Sequence, residues 1–426
     1  MSSTEAPPRA GAPTTGYGYD IDRVDPRAPG RLGADPAPLR RPARWVRWLV
    51  LASAIASALI LLGMLIYLLI KVFIPMGIGT SLVALTAALV PVGIVVAAVW
   101  WIDRYTPQPL GSLGYAFAWG AIGSIVTTLL FGPYFTSAIT PEDAHPVVQQ
   151  FLGAVIQAPV VEESFKSLGL VLLLVFGRRY IAGPIDGVVY AALIAGGFAF
   201  TENILYFANS FHEAQASGQL AGFWEIFFMR GLLSPFAHVS FTALAGLGLG
   251  IAAERRSLML YFGLGIGGLA LGMVLHALWN GSTFFIPMDP ENPMAGFLRY
   301  YLIVQVPIFL LLSALVIVLR LREKRILRRQ LSAYGRAGWF SPEEVEMLVS
   351  MRRRGKAERW ARRHGAVARL GMRHLIRTAI ALGLERHSVL FARATPRTRA
   401  RERHLLEAIT ADRRLIGSLS APVVRS

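Results

Sequence analysis

Apolar residues fill eight long runs along the chain, at about 46–72, 80–102, 110–132, 149–176, 185–208, 224–252, 258–286 and 297–319, with short polar loops between them. Each run has the length needed to cross a bilayer as a helix. The pattern predicts an all-α polytopic membrane protein with about eight transmembrane helices over residues 44–320. Residues 1–43 are rich in Pro, Gly, Ala and Asp without an apolar period, and they read as a disordered cytoplasmic arm. No secretory signal is expected, because the first apolar run begins only near Trp45 and is too long for one. Residues 321–426 mix Leu, Ile, Ala and Trp with Arg at helical spacing, as in 357–384. The string Ser341-Pro342-Glu343-Glu344 has the form of a helix start, with Ser as cap, Pro in the first turn and acids facing the dipole. This region reads as a small helical cytoplasmic C-terminal tail.

Charge sharpens the division. The net charge is +17, yet residues 1–319 carry 17 basic and 17 acidic groups, so the whole excess lies in the tail. With the N-terminus inside, the cytoplasmic loops hold Arg40, Arg41, Arg44, Arg47, Arg104, Arg178, Arg179, Arg255 and Arg256, against Lys71 and Arg299 outside. This asymmetry follows the positive-inside rule and places both termini in the cytoplasm, as an even number of spans requires. The basic tail is then suited to anionic lipid headgroups. A nucleic-acid partner is not expected, since no recognised module is present. The absence of cysteine removes disulfides, thiol nucleophiles and thiolate metal sites.

Four successive runs carry ionisable residues in their interiors. The fourth holds Glu162, Glu163 and Lys166, and helical spacing brings the ammonium beside both carboxylates. The fifth holds Glu202 and Asn203, the sixth Arg230 and His238, and the seventh His276 and Asn280 on one face. A charge at bilayer depth costs roughly 2.5–3.5 kcal/mol, so each is a candidate functional residue. Taken singly, each also has a structural reading: Lys166 and Arg230 as counter-ions, a lone His as a helix–helix partner, Asp186 as a wet interfacial residue. At 1.5 Å rise per residue the four runs place their carboxylates and imidazoles at similar depth, which points to one shared cavity. Such a cavity suits hydrolysis by carboxylate-activated water, or a divalent metal such as zinc on Glu162, Glu163, His238 and His276. The same residue types serve an ion-coupled transporter, although no inverted repeat or matched pair of broken helices is visible. A non-catalytic scaffold or receptor with a recruiting tail is a further alternative.

The strings themselves resemble a known family. Glu162-Glu163-Ser164-Phe165-Lys166 resembles the EExxK motif of the PrsW family of intramembrane proteases. Asp186-Gly187-Val188-Val189-Tyr190 with Gly197-Phe198-Ala199-Phe200-Thr201-Glu202-Asn203, then Arg230 with His238, then His276-Ala277-Leu278-Trp279-Asn280, resemble its later blocks in the family order. The motif-bearing part is about 155–285, and the arm and tail lie outside it. The resemblance implies a multi-pass peptidase of a bacterial plasma membrane, related to the CAAX- and bacteriocin-processing proteases. Its substrates would be membrane-embedded or membrane-proximal polypeptides, cut in regulated proteolysis or signalling. The family is described both as metalloprotease and as using glutamate-activated water. On this reading Glu162 is the general base, His276 assists, Asn280 stabilises the oxyanion, and Glu163 and His238 complete the site. Glu202 and Asn203 shape the cavity, with Lys166 and Arg230 as charge partners. A metal-free mechanism is favoured, and the base could be Glu163 instead, since neighbouring helix residues point about 100° apart.

Overall fold

The computed structural model describes residues 44–177, 180–285, 293–389 and 396–420, all of them helix, turn or loop, with no strand among them. The expected arm, Arg178 and Arg179 lie outside the described residues. The chain divides into two compact units, Pro42–Arg320 and one that contains Leu321–Ser426.

The first unit begins with α1 (Arg44–Leu68), continued through a π turn at Leu69–Phe73 to Met76, and α2 (Ile78–Asp103). Then come α3 (Leu110–Ile139), with a π turn at Trp119–Ser124, and α4 (146–176), with one at Leu152–Gln157. Next are α5 (Pro184–Ser217), α6 (Ala221–Ile226, then a π turn at Phe227–Leu233), α7 (Ala237–Arg255) and α8 (Leu258–Phe285). The last, α9, runs from Pro293 through a π turn at Tyr301–Gln305 and on to Arg336; its part after Arg320 belongs to the second unit.

Among the described residues seven helices are long and apolar enough to cross a membrane, and the difference from the eight expected lies in α4. That helix is continuous, but Gln149, Gln150, Gln157, Glu162, Glu163 and Lys166 dilute its apolar surface. The run expected at 224–252 is also interrupted, at Ser234-Pro235-Phe236 between α6 and α7. Large apolar side chains cover the outer faces, as at Ile78 and Leu311, 78% and 71% exposed. Such surface is stable only against lipid, so the chain is an integral membrane protein.

α5 is the centre of this unit. In its most apolar window 78% of the residues are buried, against 6% for α1 and α9. It packs on α2, α3 and α7, and α7 packs in turn on α8. Glycine permits the closest of these approaches: a Cβ on Gly246 of α7 would lie 2.3 Å from the Gly187 carbonyl oxygen of α5. One on Gly272 of α8 would lie 2.6 Å from the Phe241 carbonyl oxygen of α7. Helices this close bring short polar side chains on facing turns within reach of one another.

Side chains also satisfy the backbone where α3 and α4 change pitch. A π turn disturbs the regular helical ladder, and a neighbouring helix supplies a donor in both cases. Thr201 Oγ1 of α5 donates to the Ala121 carbonyl at 2.7 Å, and Asn280 Nδ2 of α8 donates to the Ala154 carbonyl at 2.8 Å. Asp186 accepts from the Ala182 and Gly183 amides at 2.9 and 3.1 Å and from Gln108 Nε2 at 2.8 Å. Its work is to cap the start of α5 and hold the 104–109 turn.

The second unit holds α10 (Pro342–Val349), α11 (Met351–Arg363), α12 (Ala366–Val389) and α13 (Pro396–Ser420). Leu327, Leu331, Leu348, Leu382 and Ile409 are buried in it. Ser341 caps α10 as its sequence suggests: its hydroxyl accepts from the Glu344 amide at 3.2 Å, and Glu344 accepts from the Ser341 amide at 2.9 Å. The helical stretch expected at 357–384 is two helices, broken at His364–Gly365.

Candidate active site

α4 carries the centre of the site. Lys166 is wholly buried, and Nζ lies 2.8 Å from Glu163 Oε1 and 3.1 Å from Glu162 Oε2, the i,i+3 and i,i+4 contacts its spacing dictates. Trp119 Nε1 of α3 donates to the Phe165 carbonyl at 3.0 Å and lies against Gly169, which braces this part of α4. The ammonium also rests 3.8 Å from the centre of the Phe198 ring of α5, a cation–π contact.

The third contact of Lys166 Nζ is His238 Nδ1 of α7, at 3.1 Å. An ammonium donates and cannot accept, so Nδ1 is the unprotonated nitrogen and Nε2 carries the hydrogen. Nε2 then donates to Glu202 Oε2 of α5 at 2.8 Å. Arg230 of α6 closes the chain, with Nη2 at 2.5 Å from Glu202 Oε2 and Nε donating to Asn203 Oδ1 at 3.1 Å. Its guanidinium lies 3.7 Å from the Tyr206 ring centre.

On the other side, His276 of α8 meets Glu163 Oε1 through Nδ1 at 3.1 Å, while its Nε2 stands 4.0 Å from Glu162 Oε2. The imidazole stacks on Phe241, centroids 4.7 Å apart and planes 17° apart. Thr242, one turn beyond His238, donates to Glu163 Oε2 at 2.7 Å.

The two glutamates are therefore unequal. Both oxygens of Glu163 are engaged, by Lys166 and His276 on one and Thr242 on the other. Glu162 shares only Oε2 with Lys166, and among the described residues its Oε1 accepts no hydrogen bond.

Each residue given a site role from the sequence falls in or beside this cluster, whereas Asp186 lies apart at the start of α5. Asn280 stands somewhat apart, because its amide is committed to the Ala154 carbonyl one face away. Thr242, Phe198, Phe241 and Trp119 were missed as partners. Thr242 has a signal in its i,i+4 spacing from His238, and Phe198 stands in the same motif block as Glu202; nothing in the sequence sets Phe241 and Trp119 apart from core aromatics.

Glu162, Glu163, His238 and His276 each offer a ligand atom within 4.8 Å of the others. Two carboxylates and two imidazoles form a donor set that suits zinc. The Lys166 ammonium, however, already contacts three of the four residues, and it would have to withdraw before they could close on a metal ion.

Residues 108–312 match the model of the PrsW family intramembrane metalloprotease. All four motif blocks fall inside that match. That match takes in a little under half of the chain, and over it the membrane region is similar to the PrsW family. The PrsW protease of Geobacillus kaustophilus is 29% identical over 163 residues, 37% of this chain and 63% of the relative. That of Clostridioides difficile is 28% identical over 162 residues, covering 37% and 61%. That of Oceanobacillus iheyensis is 25% identical over 201 residues, covering 46% and 80%. The chain thus spans somewhat under two thirds of the first two relatives. No solved structure matches it. The PrsW match ends before the second unit, so α10 to α13 have no counterpart in it.

Proposed function

We propose that the chain is an intramembrane peptidase that hydrolyses peptide bonds of membrane-embedded or membrane-proximal polypeptides. The observation that carries this reading is the convergence of Glu162, Glu163, His238 and His276 from three helices inside a membrane region. Glu162 is the general base: its Oε1 is open to a water, whereas Glu163 has its oxygens committed. The carboxylate of Glu163 orients His276 through Nδ1, so that Nε2 presents a lone pair toward Glu162. A water between Glu162 and His276 gives one proton to Glu162 as its oxygen bonds to the scissile carbonyl carbon, and the carbonyl electrons move onto oxygen. Collapse of that intermediate breaks the C–N bond, and protonated Glu162 returns the proton to the leaving nitrogen.

Lys166, His238, Glu202 and Arg230 form a positioning chain that fixes Glu162 and Glu163. Asn280 acts in the same way by holding α8 against the π turn of α4, and an oxyanion role would require its amide to leave the Ala154 carbonyl. The second reading is a metallopeptidase, favoured by the donor quartet. A zinc ion held by Glu162, Glu163, His238 and His276 would supply Lewis acidity and acidify a bound water.

The test is cleavage of a transmembrane peptide by purified protein. Both Glu162→Gln and His276→Ala are expected to cut activity by about 10²- to 10⁴-fold; wild-type rates in both would remove the assignment. Exhaustive chelation separates the two chemistries. Activity that survives it, with no metal by elemental analysis, supports water activated by Glu162 alone, and loss restored by zinc supports the metal reading.

For the basic C-terminal unit we propose contact with anionic lipid headgroups, supported by exposed Trp360, Val367 and Leu370 among Arg359, Arg362 and Arg363. Purified residues 321–426 should bind phosphatidylglycerol vesicles and release them as salt rises. Equal binding to neutral phosphatidylcholine vesicles would count against it.

A further inference from the structure

A cavity of about 200 Å³ adjoins the cluster, with Phe241 forming part of its lining and also stacking on His276. The rest of its wall comes from the break between α6 and α7, from Trp279 of α8, from Ile94 of α2, and from Gln305, Ile308 and Phe309 of α9. Ser234 and Phe236 leave the helical conformation, at φ −118°, ψ 29° and φ −101°, ψ 4°. Among the described residues neither of their amides donates to a backbone carbonyl, and Pro235 has no N–H to give. Gln305, 5% exposed, brings a side-chain amide to the same wall, where its Oε1 accepts from Ser234 Oγ at 3.3 Å.

Non-helical backbone inside a bilayer persists only where protein or a cavity covers it, because each unmade hydrogen bond is costly in hydrocarbon. A pocket with apolar walls and backbone donors therefore calls for a ligand that has an apolar body and carbonyl acceptors. A regular transmembrane helix does not meet this need, since its carbonyls are already bonded within the helix. Lipid acyl chains have no acceptor, and lipid esters lie at the wrong depth. Thirteen residues of α6 precede the break, which puts it roughly 20 Å along the span, well inside a core about 30 Å thick.

We propose that this cavity docks an unwound segment of a transmembrane polypeptide. One apolar side chain enters the pocket, and carbonyls next to it accept from the Ser234 and Phe236 amides. The proposal rests on the peptidase reading above, in that Phe241 lines the pocket and stacks on His276, so that a docked segment would lie one ring away from the site. Selection would then act on two features of a substrate, the ease with which its helix opens and the fit of one apolar side chain.

The test uses the full chain in phosphatidylcholine–phosphatidylglycerol vesicles, with a benzophenone amino acid at Ile308 and, as control, at lipid-facing Leu311. Two single-span Leu/Ala peptides serve as probes, one uninterrupted and one with a central Gly-Pro pair. The interrupted peptide should label position 308 about tenfold more than either the uninterrupted peptide at 308 or itself at 311, the ratio that 1.4 kcal/mol of binding produces. Ile94→Trp, which fills the pocket, should abolish the difference. If that variant does not fold, a benzophenone at Ile94 should reproduce the labelling seen at 308. Equal labelling by the two peptides overturns the proposal, as does a lipid adduct at 308 in place of a peptide adduct. Selective labelling without cleavage leaves the pocket standing and removes the peptidase reading. Cleavage of the interrupted peptide with no labelling at 308 or 94 does the reverse.

Discussion

The two units use the same ionic chemistry under opposite conditions. In the second unit Arg328 pairs with Glu346 at 3.0 Å and Arg373 with Glu358 at 2.8 Å, with all four side chains between 31% and 48% exposed. Pairs of this kind contribute about 0–1 kcal/mol, because water solvates both partners almost as well. In the membrane unit Lys166 and Glu163 stand at the same 2.8 Å, with exposures of 0% and 1%. There the cost of desolvation rivals the attraction, and well-packed apolar residues would often hold the helices as firmly. Equal distances thus carry different meanings. The exposed pairs decorate a fold set by its buried leucines, whereas the buried pairs are expensive to keep and are better explained by chemistry than by stability.

The largest effect is expected at the buried pair. Lys166→Met leaves Glu162 and Glu163 buried without their cation, and should cost about 3–5 kcal/mol in the membrane unit. Thermal unfolding in detergent would show it, together with loss of peptide cleavage. A Lys166→Met protein as stable and active as the parent would place this ammonium with the surface pairs. At the other end of the scale, Arg373→Ala should change stability by less than about 1 kcal/mol and leave cleavage unchanged. A large loss on Arg373→Ala would mean that the exposed pairs hold the second unit together after all.

The residues of the site were legible because their cost makes them conspicuous: a carboxylate or imidazole inside an apolar run stands out whatever its partners are. Spacing alone also gave the contacts of Lys166 with Glu162 and Glu163, and the cap at Ser341. The relations between helices were not legible. That His238 links Lys166 to Glu202, or that Thr242 reaches Glu163, depends on how closely α4, α5 and α7 approach, which the spacing within a single run does not give. The inequality of Glu162 and Glu163 had the same origin, since two adjacent carboxylates differ only in what surrounds them. The π turns left no period in the sequence to read, because they shift a helix's register by one residue without altering its composition. The break at Ser234-Pro235-Phe236 did carry a sign in its proline, but it lay within an apolar run long enough to hide it.

The resident lysine has one more consequence. Glu162, Glu163 and Glu202 face Lys166 and Arg230, and with both imidazoles in the neutral form that the proposed reaction uses, the formal charges of the cluster leave a single negative charge uncompensated. In the proposed reaction no new charge has to be created in the apolar interior. The negative charge passes from Glu162 to the substrate's carbonyl oxygen as the proton passes from water to Glu162, and both cations stay where they are. Electroneutrality is no worse at the intermediate than at rest, which is the condition under which a group so deeply buried can act as a base.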